Sequence, residues 1–167
     1  MAVHHEHRDK GPKSVRVAIL TLSDTRTEET DESGRILREG FAAAGHAISA
    51  YRILKDDPDP VRAQIAAWAD SGEVDAVVTT GGTGIAPRDH AFEVVSGLLD
   101  KTLDGFGELF RRLSFDEVGT AAMLSCAVGG VRGRCALFAL PGSAKAVRLA
   151  LEKILLPEIG HVVGLLR

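Results

Sequence analysis

The sequence predicts an α/β fold: a three-layer domain with a mostly parallel sheet, helices on both of its faces, and one β-hairpin. Three observations lead there. Short β-branched and aliphatic runs recur along the chain, each is followed by a stretch with helical spacing, and Gly, Pro, Asp and Ser mark the joins. Strands that alternate with helices favour parallel pairing through right-handed crossovers. Only 5% of residues are aromatic, so the core falls to Val, Leu, Ile and Ala, which suit strands covered on both faces.

Residues 15–22 (VRVAILTL) form a continuous apolar run, the mark of a fully buried strand. Ser23-Asp24-Thr25 closes it. From Asp31 the spacing turns helical, with Ile36, Leu37, Phe41 and Ala44 on one face and Gly45 as the stop. Residues 46–54 read as a second strand. A second helix opens with Asp59 as N-cap and Pro60 in the first turn, its core stripe being Val61, Ile65 and Trp68. Asp75 to Thr79 is a third buried strand. Beyond a Gly/Thr loop, residues 91–99 are helical with Phe92, Val95 and Leu99 inward. Residues 103–114 hold a Gly-broken turn and a short helix, and 116–124 a separate one. The runs 127–131 and 135–140 flank the turn Arg132-Gly133-Arg134 as a hairpin. A long amphipathic helix then runs from Ser143 to about Leu156, before Pro157. The 167 residues fit one domain, 15–167, behind a flexible polar tail, 1–14, that carries His4, His5 and His7.

Charge and cysteine usage exclude several functions. The net charge is −3 with no Lys/Arg run, so no nucleic-acid groove is expected. No stretch reaches the length of a membrane span and no signal core is present. Cys126 and Cys135 make neither a disulfide framework nor a CxxC zinc pair; they read as buried neutral thiols in a reduced, cytoplasmic setting.

Ligands of an open α/β sheet sit beyond the carboxyl ends of its strands. Four segments should meet there: Ser23-Asp24-Thr25, Lys55-Asp56-Asp57, Thr79 to Gly84, and Pro141-Gly142-Ser143. In the third, Gly81, Gly82 and Gly84 let the backbone approach a ligand and aim N–H groups at anionic oxygens, and Thr80 and Thr83 add hydroxyls. The plain alternative is a tight strand-to-helix turn. The loop matches neither the GxGxxG dinucleotide motif, which has Pro87 at its third glycine, nor a P-loop. Asp56 and Asp89 flank it. Carboxylates beside a phosphate loop repel the ligand unless a cation intervenes, and Mg²⁺ held by carboxylates and substrate phosphates is the natural mediator. Their alternative role is helix capping. Ser114 and Ser143 are likewise caps or ligands, and Arg111-Arg112 reads as a solvated helix face.

Together TLSDTR (21–26), VVTTGGTGIAPRD (77–89), LDGFGELFRRLSF (103–115) and LFALPGSAKAV (137–147) resemble the MoaB/MogA family of molybdenum cofactor biosynthesis proteins, over nearly all of 15–157. Residues 105–120 and 127–131 resemble the MoaB branch more closely. The resemblance implies a molybdopterin-binding fold that assembles as a homotrimer or a hexamer. It also implies adenylylation of molybdopterin by Mg-ATP with release of pyrophosphate, metal being inserted later by a partner protein. Asp56 and Asp89 match the family's two acidic catalytic positions. Ser23, Asp24, Thr80 to Gly84, Ser114 and Pro141-Gly142-Ser143 would hold the pterin, its phosphate or ATP. Some MoaB-type members depart from the acidic pattern, so a non-catalytic molybdopterin carrier is the competing reading.

Overall fold

A computed structural model describes residues 11–167. One sheet contains β1 (Arg16–Leu22), β2 (Ala47–Leu54), β3 (Ala76–Thr80), β4 (Lys101–Thr102), β5 (Val128–Arg132) and β6 (Cys135–Leu140), in the spatial order β2-β1-β3-β6-β5-β4. β1, β2, β3 and β6 are parallel, and β5 runs antiparallel to β6 and β4. The chain leaves β1 for β2 on one side and returns to β3 on the other. Connections therefore part between β1 and β3, which opens a crevice at their carboxyl ends.

Alternation along the strands builds two cores. Val17, Ile19, Val78, Phe138 and Leu140 face Leu37 and Phe41 of α1 (Glu32–Ala43), Phe110 of α4 (Asp104–Val118) and the C-terminal helices. Ala18, Leu20, Val77, Leu137 and Ala139 face Val61 and Ile65 of α2 (Pro58–Asp70) and Val94 and Val95 of α3 (Ala91–Ser96). The sheet is thus covered on both faces, as the buried strand runs required.

Four boundaries differ from the sequence reading. α2 starts earlier, with Asp57 at the N-cap and no side-chain cap bond, because Pro58 already carries the φ that a first helical residue needs. In α3 the inward residues are Ala91, Val94 and Val95; the helix ends at Ser96 and Phe92 and Leu99 are half-buried. The two short helices expected between 103 and 124 are one long helix, α4, followed by a 3₁₀ turn, Gly119–Leu124. Phe106, Phe110 and Ser114 make one continuous buried stripe along it, while Gly105 and Gly107 fall in its first turn, where they cost little. Pro157 does not end the last helix. α5 (Ala144–Ala150) passes through a π turn, Leu151–Leu155, into α6 (Leu156–Gly164). The Leu156 N–H reaches back to the Leu151 carbonyl, and this change of register leaves Pro157 in a first turn.

His4, His5 and His7 lie outside the described residues. Gly11 and Pro12 lie against Gly160 and Gly164 of α6. Among the described residues no helix is long and apolar enough to cross a membrane.

Candidate functional site

The segments after β1, β3 and β6 are tied to one another at the carboxyl edge. The Gly81 N–H donates to the Leu140 carbonyl (3.1 Å), and the Thr80 hydroxyl to the Pro141 carbonyl (3.0 Å). From the first turn of α1, the Ser33 hydroxyl donates to the Gly142 carbonyl (2.8 Å). Arg88 reaches Asp24 at 2.8 Å and joins the Gly/Thr loop to the loop after β1. Between these ties lies a polar cleft of about 160 Å³ whose walls include Thr21, Ser23, Arg26, Gly81, Gly142 and Ser143.

The anion-binding capacity of the loop lies in its backbone. Thr80 spends its hydroxyl hydrogen on Pro141, and Thr83 is buried, its carbonyl accepting from Cys126. The hydroxyl hydrogen of Thr80 is therefore already engaged within the protein. The N–H groups of Gly82, Thr83 and Gly84 make no hydrogen bond among the described residues. Gly81 and Gly82 have φ of 96° and 65°, a conformation that only glycine adopts without strain. A Cβ at Gly81 would also collide with the Leu22 carbonyl oxygen.

Asp56 and Asp89 stand against this loop, and neither caps a helix. Asp56 Oδ2 accepts from the His90 N–H (3.2 Å), and Asp89 Oδ2 from the Ala86 N–H (3.0 Å). A Cβ on Gly82 would meet Asp56 Oδ2, and one on Gly84 would meet Asp89 Oδ2. Asp56 Oδ1 is buried with no hydrogen-bond partner among the described residues. Burial pushes the Asp56 carboxyl above its ordinary range; the His90 N–H opposes this, and the charge of Asp89 adds to it. Two hard-oxygen carboxylates, one with an unsatisfied buried oxygen, fit Mg²⁺ and not a soft-ligand metal. Among the described residues no group of three or more His, Cys, Asp or Glu gathers, so substrate phosphates would have to complete the coordination.

The remaining site residues divide. Ser143 is the N-cap of α5, accepting from the Ala146 N–H (3.2 Å), and also faces the cleft. Ser114 is not in the cleft. It lies mid-helix on α4 and lines an adjoining hollow of about 140 Å³, which shares Ser143 with the cleft. Sequence reasoning missed Asp31 and Ser33 at the start of α1. Asp31 caps that helix through the Gly34 N–H (2.9 Å) and accepts from the Tyr51 hydroxyl (2.6 Å). It also missed Thr21, whose buried Oγ1 has no partner among the described residues and which lines the cleft. The signal for Thr21 was its place at the end of a buried strand, directly before the polar turn.

A larger apolar hollow of about 450 Å³ lies between α4 and α6, lined by Phe106, Leu109, Ile154 and Val162. It lacks convergent donors, so the smaller polar cleft is the candidate site. Cys135 is buried, which raises its thiol to about 12 and makes it inert, whereas Cys126 is half-exposed and not the buried thiol expected.

Comparison with known proteins agrees with this architecture. The domain described as "Probable molybdopterin binding domain" matches residues 18–161. Molybdenum cofactor biosynthesis protein B of Bacillus cereus is 51% identical over 158 residues, covering 94% of each chain. A crystal structure of a molybdenum cofactor biosynthesis protein B superposes with a TM-score of 0.90 at 52% identity, over 93% of this chain and 97% of the other. The molybdopterin biosynthesis enzyme MoaB of Thermus thermophilus superposes with a TM-score of 0.81 at 37% identity, over 91% and 96%. With its sheet order, its glycine loop and these relatives in agreement, the chain belongs to the molybdenum cofactor biosynthesis protein B family.

Proposed function

We propose that the protein acts in molybdenum cofactor biosynthesis by binding molybdopterin at the carboxyl edge of the sheet and adenylylating it with Mg-ATP. The observation that carries this reading is the pair Asp56 and Asp89. Both abut the glycine loop, neither caps a helix, and Asp56 keeps a buried oxygen with no partner. Structural carboxylates would have that valence filled.

In the reaction, a phosphate oxygen of molybdopterin attacks the α-phosphorus of ATP. The bond from that phosphorus to the bridging oxygen breaks, and pyrophosphate leaves with the electron pair. The protein's part is to position the reactants and meet developing charge. The N–H groups of Gly82, Thr83 and Gly84 offer preorganised donors to phosphate oxygens, and the start of α5 at Ser143 adds a helix N-terminus. Thr21, Ser23 and Asp24 line or flank the cleft as candidate contacts for the pterin or its phosphate, with Ser114 reaching from the adjoining hollow. Mg²⁺, held by Asp56 and Asp89 together with ATP phosphates, would neutralise negative charge on the transferring group.

The same reading places the protein in the cytoplasm as a homotrimer or hexamer that hands its product to a molybdenum-inserting partner. Exposed Phe115, Val118, Met123 and Leu124, at the end of α4 and in the 3₁₀ turn, supply an apolar patch for self-association. Incubation with molybdopterin, ATP and Mg²⁺ tests the activity: adenylylated product and stoichiometric pyrophosphate are expected. Tight molybdopterin binding without either product would leave the carrier role standing.

A further inference from the structure

We propose a second anion site at the opposite pole of the sheet, where Arg16, Arg134 and Arg167 face one hollow and bind a small doubly charged oxyanion of the phosphate or sulfate class. The hollow has a volume of about 260 Å³ and is lined by these three arginines with Ala69, Gly72, Val74 and Asp75. It sits at the amino ends of the strands. Arg16 opens β1, Asp75 directly precedes β3, and Arg134 directly precedes β6. The glycine loop lies at the other ends of the same strands.

The three side chains are at least partly exposed, but each guanidinium group is tethered by a hydrogen bond to the protein. Asp75, buried with 8% of its side chain exposed, is the anchor. It accepts from Arg16 Nε (3.1 Å), Arg16 Nη2 (2.9 Å) and Arg167 Nη2 (3.2 Å). Arg16 Nη2 also donates to the Gly72 carbonyl (3.0 Å), and Arg134 Nε donates to the Leu166 carbonyl (3.1 Å). These bonds orient Arg16 and tether Arg134 and Arg167, and among the described residues they leave N–H edges unused: Nη1 of Arg16, both Nη of Arg134, and Nε and Nη1 of Arg167. Fixed guanidinium forks of this kind match tetrahedral oxyanions with little ordering cost.

Charge points the same way. Among the described residues, three guanidinium groups line the hollow against one side-chain carboxylate, and a purely structural ion pair would need only one arginine for Asp75. Neighbouring acids do not restore the balance inside it. Asp70 is engaged by both Nε and Nη2 of Arg132 at 2.9 Å, and Asp100 accepts from the Gly133 N–H. Glu73 lies near enough to act on the charge of Arg16 but does not line the hollow. The hairpin turn at Gly133 therefore sorts its two arginines: Arg132 pairs with an acid, and Arg134 turns to the hollow with no acidic partner among the described residues.

The test uses the intact protein and inorganic phosphate, followed by calorimetry and by the arginine Nε–Hε resonances. Arg134→Gln and Arg167→Gln should each weaken phosphate binding at this site by about tenfold, the value of one or two charge-assisted bonds. Gly82→Ala, at the glycine loop, should leave this site's affinity and the Arg134 and Arg167 shifts intact, so failure of the proposed function would not touch this result. Glycerol 3-phosphate in parallel separates a free oxyanion, bound equally well as either compound, from a phosphate monoester, bound more tightly as the ester. Wild-type protein that shows no phosphate-dependent shift of these arginines at millimolar phosphate, or glutamine variants that are folded and bind like wild type, would overturn the proposal.

Discussion

Replacing Gly82 with alanine probes the contact on which the catalytic reading depends, because the glycine loop and Asp56 share the space that the new methyl group would enter. Two costs add. At φ 65° a β-carbon costs about 1–2 kcal/mol of backbone strain. The new Cβ would also meet Asp56 Oδ2, so the carboxylate must move and release the His90 N–H, about another 1–2 kcal/mol. The total is about 2–4 kcal/mol, or a fall in Tm of roughly 4–16 °C for a domain of this size. Gly45→Ala isolates the first cost: its φ is 86° and nothing lies within 4 Å of the new Cβ. It should lower Tm by only about 2–8 °C and leave adenylylation unchanged. Thermal melts of both variants, with adenylylation assays on the same samples, decide the matter. Equal melting losses and full activity in Gly82→Ala would mean that Asp56 does not occupy that position, and the proposed site would go with it.

Further outcomes follow from the same geometry. Asp56→Asn and Asp89→Asn should each cut adenylylation by about 100-fold or more while molybdopterin affinity changes by less than about threefold; unchanged turnover in both would return the two residues to a structural role. Asp75→Asn should cost about 2 kcal/mol at neutral pH. Burial raises the Asp75 carboxyl, but the bonds from Arg16 and Arg167 outweigh it and hold it down at about 2, below the ordinary 3.8. That stability is present above the ordinary value and lost as pH falls from 3.8 towards 2, so acid unfolding of the variant, followed by circular dichroism, should be flatter in that window. Light scattering should give a trimer or hexamer, and Met123→Glu, which puts a charge on a side chain that is 77% exposed, should dissociate it without lowering the monomer's helix content. A wild-type monomer at all concentrations would refute the assembly.

The central strands β1, β3 and β6 were legible in the sequence because they are buried on both faces and so read as unbroken apolar runs; β2, a partly exposed edge strand, alternates instead, and the exposed two-residue β4 left no signal. The glycine loop was legible for a related reason: positive φ and close backbone approach leave glycine alone at Gly81 and Gly82. Helix ends were less so. Gly105 and Gly107 look like breaks until the buried stripe Phe106-Phe110-Ser114 is seen to run past them, and Pro157 looks like a stop until a π turn shifts the hydrogen-bond register. Local propensity sets such boundaries only where packing does not overrule it. The chemistry of Asp56 and Asp89 was half legible. Their proximity to the loop followed from strand order, but whether they capped helices depended on partners far away in sequence, such as the His90 N–H on Asp56. Thr80 shows the reverse: a hydroxyl that the sequence offers to a ligand is spent on the carbonyl of Pro141, just past the end of β6 and 61 residues away. The cluster of Arg16, Asp75, Arg134 and Arg167 has no sequence signature at all. Its members come from three strand starts and the last residue described, and only the parallel sheet, by aligning the amino ends of β1, β3 and β6, brings their charges into one hollow.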